Sequence, residues 1–205
     1  MAYSVNELRA PRVLPNTLGK TKTMQSSAIG TERRLLWIGF LTVATVLMSG
    51  VFACAVPFAA LAALAAFDSE RRDGLLLIGA VWLVNQVYGF AVLGYPIEAQ
   101  ACFWGLAIGL GAVAAYYAAR AVVSALAPSG ALVAVIATLP AAFLAYEAVL
   151  YVASLVLSHG EGAFNTDVVA YVALVEVIAF VALLIVHRLA VGAGLVEPNA
   201  VESAS

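Results

Sequence analysis

An apolar run extends from Leu35 to Phe67 without a single Asp, Glu, Lys or Arg. A helix that crosses the hydrocarbon core of a bilayer needs roughly 20 such residues, and comparable stretches follow as far as His187. Across the 205 residues, 64% are hydrophobic and 11% are charged, whereas a soluble domain has roughly 25% charged residues. The sequence therefore predicts an all-α, polytopic integral membrane protein that is surrounded by the lipid bilayer.

The length of the run 35–67 leaves two alternatives open. It either forms a tight hairpin of two short helices that turns at Ser49-Gly50, or it crosses once and carries an extra interfacial segment. With the hairpin, the spans fall at about 35–49, 51–67, 74–94, 100–120, 130–157 and 167–187. All ten Lys and Arg residues then lie on one side, whereas a single crossing splits them into six and four. The positive-inside tendency favours the first arrangement, which has six transmembrane helices and cytoplasmic N and C termini.

Polar segments flank this membrane domain, which we place at residues 33–190 of a cell inner membrane protein. Residues 1–32 hold Lys, Arg, Pro and small polar residues but no long apolar stretch, and they are predicted to form a disordered N-terminal tail. Residues 191–205 form a short C-terminal tail. Ala53-Cys54-Ala55 resembles a signal cleavage site, but the region before it is longer than the n-region of a signal peptide.

Small residues recur at four-residue spacing in two of the spans. They are Ala59, Ala62, Ala63 and Ala66 in the second span, and Gly105 and Gly109 in the fourth. Lipid gives helices no hydrophobic drive to associate, so close backbone approach along small residues is one of the few sources of attraction. These residues therefore pack within the bundle or, in the alternative interpretation, the Ala59–Ala66 stripe docks a separate membrane subunit.

Polar side chains occur near the middle of three spans, at Asn85, Glu147 and Glu176. A charged side chain at the centre of a membrane helix costs about 2.5–3.5 kcal/mol on insertion scales, so a carboxyl group there faces the interior, pairs or stays protonated. Three interpretations are open: hydrogen-bonded contacts between helices, a small-molecule pocket, or a path for protons or ions. Nearby phenols and amides are typical of a ligand pocket and extend the candidate set to Gln86, Tyr88 and Tyr151.

Catalytic and metal-binding motifs are missing from the sequence. We find no HExxH, GxSxG or Cys-x-x-Cys motif and only two histidines, so neither an enzyme nor a metal site is expected, and the cofactor is unknown. In the stretch SHGEGAFNTD, His159, Glu161 and Asp167 could approach a cation, but we interpret the stretch as a solvated loop. A nucleic-acid partner is not expected.

Ala59-x-x-x-Ala63 and Ala62-x-x-x-Ala66, together with six short spans and cytoplasmic termini, resemble the substrate-binding S-components of energy-coupling-factor vitamin transporters. In that family an early helix with such a stripe contacts the transmembrane coupling subunit, although it is usually the first span rather than the second. The resemblance implies a substrate site near the outer face. Some cobalamin-uptake members use an outer-side cysteine as a cobalt ligand, which makes Cys102 a candidate ligand by position.

These features favour a small multi-pass membrane protein that binds a small molecule for transport, through a polar pocket between mid-membrane and the outer side. The alternative function is that of a non-catalytic accessory or assembly subunit of a larger membrane complex, in which the polar centre serves helix packing. The two hypotheses differ in whether a ligand occupies the centre of the bundle.

Overall fold

The chain is a bundle of α-helices in a computed structural model, which describes residues 32–43, 56–158, 160 and 162–193. The first helix, α1, covers residues 32–43. The others are α2 (Phe58–Asp68), α3 (Arg71–Ala91), α4 (Ala99–Leu126), α5 (Ala131–Ser154) and α6 (Thr166–Gly192), with a 3-10 turn at Ala127–Ser129 after α4. Residues 1–31 and 194–205, which make up almost all of the two predicted tails, lie outside the described residues.

The helices α3, α4, α5 and α6 are each long and apolar enough to cross a membrane. They overlap the last four predicted spans, although α4 continues past the predicted end at residue 120 to Leu126, and the prediction of an all-α membrane protein is confirmed at this level. Large apolar side chains cover their outward faces, and Leu110, Leu144 and Leu189 are each about two-thirds exposed. Such contiguous apolar surface is rare on soluble monomers and fits contact with lipid.

The short helix α2 lies at the centre of the bundle, where it contacts α3, α4, α5 and α6. Every side chain from Phe58 to Ala65 is at most 1% exposed, because six alanines let the neighbouring helices approach closely. Its 11 residues extend about 16 Å, which is too short for a hydrocarbon core of roughly 30 Å. The span predicted at 51–67 is therefore only partly accounted for by α2, and residues 44–55 lie outside the described part of the chain.

The alanine stripe is enclosed by the chain itself. Ala59, Ala62 and Ala63 are 0% exposed and Ala66 is 7% exposed. Of the two interpretations of the stripe, packing within the bundle accounts for this burial. In this fold the stripe contacts α3, α4, α5 and α6 of the same chain.

Two glycines of α4 allow α3 to pack closely against it. The side chain of Gln86 lies against Gly105, and the indole of Trp82 lies over Gly109, where an added Cβ would come within 2.8 Å of the indole Nε1. The same Nε1 donates a hydrogen bond of 2.8 Å to the carbonyl of Gly105. A side chain at either position would push the two helices apart, so the glycines pack within the chain.

The arginines of the described helices share one end of the bundle, which we call the basic end. Arg34 of α1 lies 3.3 Å from Asp73 at the start of α3. Arg188 of α6 follows His187, whose ring centroid is 6.2 Å from that of Trp37 in α1. The loops at the opposite end contain no Lys or Arg. The uneven distribution of Lys and Arg along the sequence therefore becomes a difference in charge between the two ends of the bundle.

Arg120 of α4 fixes the C-terminal end of α2 at the basic end. Its Nη1 donates a hydrogen bond of 3.1 Å to the carbonyl of Ser69, the residue after α2, and one of 3.3 Å to the hydroxyl of Tyr116. A cation at the C-terminus of a helix interacts favourably with the negative end of the helix dipole. The helix α2 thus ends at the basic end, and its length places its start near the middle of the bundle.

Candidate functional site

A cavity of about 250 Å³ lies beside the start of α2, and we call it the inner cavity. Asn85 of α3, Glu147 of α5 and Glu176 of α6 all line it, so the three polar residues expected at mid-membrane surround one space. Aliphatic and aromatic side chains form the rest of the wall. A concave and mostly apolar space with a few convergent polar groups has the usual composition of a small-molecule site.

Asn85 and Glu176 lie at similar depths along their helices. At 1.5 Å per residue, Asn85 lies about 21 Å along α3 from Arg71, and Glu176 lies about 18 Å along α6 from Arg188. Both distances start from the basic end, and a hydrocarbon core is roughly 30 Å thick. The inner cavity therefore lies between the middle of the bundle and the end that lacks arginine.

Glu176 binds the N-terminus of α2 with both oxygens of its carboxyl group. The backbone N–H of Ala59 donates to Oε1 over 3.2 Å, and that of Ala60 donates to Oε2 over 2.6 Å. The first N–H groups of any helix have no partner within the helix, and Pro57, which caps α2, offers no side chain to accept them. Glu176, which is only 2% exposed, supplies that cap from another helix and places a carboxyl group at the positive end of the helix dipole.

Glu147 differs from Glu176 because its side chain is half-buried and has no such contact. Among the described residues, no hydrogen bond or ion pair engages the side chain of Glu147, of Asn85 or the hydroxyl of Tyr146, and all three line the inner cavity. Since the carboxyl group of Glu176 is occupied by α2, these three groups are the described polar side chains of the inner cavity that remain available to a bound molecule.

A second, larger cavity of about 740 Å³ adjoins the inner cavity on the side away from the basic end, and we call it the vestibule. Both cavities are lined by Asn85, Trp104, Ile108 and Ala163. The vestibule extends to the connection between α3 and α4, where Tyr95 and other loop residues line it. The two cavities together lead from the middle of the bundle to the end that lacks arginine.

Hydrogen bonds from α4 hold the connection between α5 and α6 beside the vestibule. Gln100 Nε2 and Trp104 Nε1 both donate to the carbonyl of Ser158, over 2.7 Å and 2.9 Å. Trp104 thereby has a fixed position in the wall that the two cavities share. The mouth of the vestibule is consequently shaped by loop backbone as well as by helices.

The remaining candidate residues divide into two groups. Gln86 and Tyr88 line the vestibule but not the inner cavity. Tyr151 and Cys102 line neither cavity, because they lie on exposed faces of α5 and α4. Tyr151 nevertheless supports the inner cavity from outside, since its ring packs edge-on against Phe164 with centroids 5.3 Å apart.

Three residues of the site were not singled out from the sequence. Trp104 and Ile108 lie at the junction of the cavities, and Pro57 precedes the helix start that Glu176 caps. A proline inside an apolar run is a signal for a helix start, because its missing N–H is not needed there. Neither Trp104 nor Ile108 differs in sequence from the other large apolar residues of a membrane helix, so no sequence signal distinguishes them.

Metal-binding side chains do not converge in the part of the chain that the structure describes. No group of three or more His, Cys, Asp or Glu residues is placed to hold a metal ion there. Of the three loop residues considered for a cation, His159 and Glu161 lie outside the described residues, and Asp167 is exposed in the first turn of α6.

No protein-family model, curated protein or solved structure matches the chain. The function is therefore inferred from the two cavities and the residues that line them.

Proposed function

We propose that the protein binds a small molecule in the inner cavity and that this molecule enters through the vestibule, as a step in its transport across the membrane. The observation that carries the proposal is the junction at Asn85, Trp104 and Ile108, where the inner cavity and the vestibule share a wall. A vestibule of about 740 Å³ is within the range of roughly 300–1,000 Å³ that is usual for ligand pockets.

The basic end faces the cytoplasm in this proposal, and the vestibule opens on the outer side of a cell inner membrane. Support comes from the ten Lys and Arg residues, none of which lies in the loops at the vestibule end. The start of α1 and the end of α2 both lie at the basic end. Two crossings of the membrane by residues 35–67 are consistent with this arrangement. Six spans with cytoplasmic termini follow, and substrate entry from outside is also what the resemblance to S-components implies.

A second candidate function is that of an accessory subunit whose polar centre only holds the helices together. The contact of Glu176 with α2 favours this alternative, because it shows that one of the two membrane carboxyl groups has a structural partner. Glu147 and Asn85 favour the binding protein instead, since nothing in the described chain occupies their polar atoms.

The test is to ask whether purified protein retains a small molecule that depends on the inner cavity. Ile108→Trp fills the junction between the cavities, and Leu144→Trp places the same side chain on the exposed face of α5 as a matched control. We expect mass spectrometry of extracted small molecules to find a compound that co-purifies with the wild type and with Leu144→Trp but not with Ile108→Trp. Equal recovery from all three proteins, or recovery from none, contradicts the proposal.

A further inference from the structure

We propose that the two cavities select a small organic cation, such as a substituted ammonium ion. This inference rests on the proposed function and specifies its ligand class. It follows from the charges, the aromatic rings and the free polar groups that line the cavities.

The described residues that line the inner cavity and the vestibule are all acidic or neutral. Glu147 and Glu176 line the inner cavity, Glu98 lines the vestibule, and no Lys, Arg or His is among the described lining residues of either cavity. The described arginines lie at the basic end, at the far side of the bundle. An anion that entered would meet carboxyl groups without a compensating charge, whereas a cation would be attracted along the whole route.

The N-terminus of α2 offsets only part of this negative charge. A helix N-terminus is equivalent to roughly half a positive charge, and here it is already engaged by Glu176. Glu147 has no counterpart of this kind among the described residues. A carboxylate inside a membrane is stable when it is paired, so a bound cation would supply the partner that the chain does not.

Aromatic rings make the inner cavity suitable for an organic rather than an inorganic cation. They belong to Phe58, Trp104, Tyr146 and Phe164. The faces of such rings attract ammonium groups, and sites for quaternary ammonium ligands are commonly built from them. A metal ion instead needs several oxygen ligands to replace its water, and the described residues offer no such group.

The test compares how fast a cationic and an anionic thiol reagent reach the junction of the cavities. Ile108→Cys in a Cys54→Ser/Cys102→Ser chain is treated with trimethylammonioethyl methanethiosulfonate and, separately, with sulfonatoethyl methanethiosulfonate. Native Cys102, which is exposed and outside both cavities, gives the reference ratio of the two rates in a Cys54→Ser chain. We expect the cation-to-anion ratio at the thiol introduced by Ile108→Cys to exceed this reference by about tenfold, because the cationic reagent is the partner beside which Glu147 carries its charge.

Variants of Glu147 identify the source of the selectivity. Glu147→Gln should bring the ratio close to the reference value, whereas Glu147→Asp, which keeps the charge, should retain it. Asp167→Asn removes a charge from an exposed site at the same end and should leave the ratio unchanged. Equal normalised rates for both reagents, or a ratio that Glu147→Gln does not lower, overturn the cation proposal while leaving an accessible cavity. If neither reagent reacts at the junction, the entry route fails, and the proposed function fails with it.

Discussion

The two carboxyl groups inside the membrane have different surroundings, although the sequence presents them alike. Glu176 accepts two backbone N–H groups at the start of α2, and Glu147 lines the same cavity without such a contact. Two acids at mid-membrane thus divide into one that holds the fold and one that is available to a ligand. We therefore expect substitutions of Glu176 and of Glu147 to differ in their effect on stability.

Removal of the Glu176 side chain should destabilise the protein, because it leaves the N–H groups of Ala59 and Ala60 buried without acceptors. We expect Glu176→Ala to lower the free energy of unfolding by about 2–4 kcal/mol, measured by equilibrium unfolding in detergent micelles. Glu176→Gln should have a smaller effect, since an amide oxygen still accepts one N–H. Glu147→Ala is the matched control and should change stability by less than about 1 kcal/mol. A similar loss at both positions would refute the division of roles.

Part of the site could be predicted from single residues. Asn85, Glu147 and Glu176 stand out because polar groups are expensive in lipid, and the structure brings all three to one cavity. The partner of Glu176 could not be predicted, because it is the backbone of α2 more than a hundred positions away and backbone donors carry no sequence signature. The outward orientation of Tyr151 and Cys102 depends on how α4 and α5 are rotated, which residue type does not determine.

At the scale of elements, α2 is the centre around which the long helices pack. An acidic and a basic side chain from other helices hold both of its ends, Glu176 at the N-terminus and Arg120 beyond the C-terminus. Both signs match the helix dipole. A helix of 11 residues that is buried on every side owes its position to these contacts and to the small size of its alanines.

Larger side chains in place of the alanines of α2 should destabilise the protein, even when it is purified without any partner. Ala63 is 0% exposed, so Ala63→Leu must displace neighbouring helices and should destabilise the chain by about 1–3 kcal/mol. Ala170→Leu, on an exposed face of α6, provides the same substitution in contact with lipid and should be nearly neutral. Thermal unfolding of the purified variants distinguishes the two. A stable Ala63→Leu protein would indicate that the stripe is not a core element.

Substitution of a glycine by alanine should lower the stability of the protein in α4 and raise it in α3. Gly109→Ala brings a methyl group within 2.8 Å of Trp82 Nε1 and is expected to destabilise the packing of α3 on α4 by about 1–2 kcal/mol. Gly79 of α3 has nothing within 4 Å of an added Cβ, so Gly79→Ala should stabilise the helix by about 0.5–1 kcal/mol. Equilibrium unfolding in detergent measures both. If both substitutions stabilise the protein, the close approach at Gly109 does not exist in solution.

At the scale of the whole molecule, charge and cavity position define two unlike ends. The arginines gather at the end where α2 finishes, and the vestibule lies at the end whose loops contain no Lys or Arg. The positions of the four long helices could be predicted from the sequence, because a membrane-spanning helix needs a long apolar run and charges mark its limits. The run 35–67 left two alternatives, because its hydropathy is uniform and because the contact of Glu176 with the start of α2, unlike Pro57, carries no sequence signal.

The sidedness of the bundle leads to a labelling prediction that uses isosteric substitutions. In a Cys54→Ser/Cys102→Ser chain, Ser69→Cys and Ser129→Cys place a thiol at the basic end, and Ser158→Cys places one beside the vestibule. A membrane-impermeant maleimide should label the first two in inside-out vesicles and the third in right-side-out vesicles, because the proposed function places the basic end in the cytoplasm. Permeabilised vesicles control for accessibility of each thiol. Labelling of Ser69→Cys and Ser129→Cys from opposite sides would contradict the antiparallel crossing of α3 and α4, whereas labelling of both from outside would keep the fold and reverse the direction of entry.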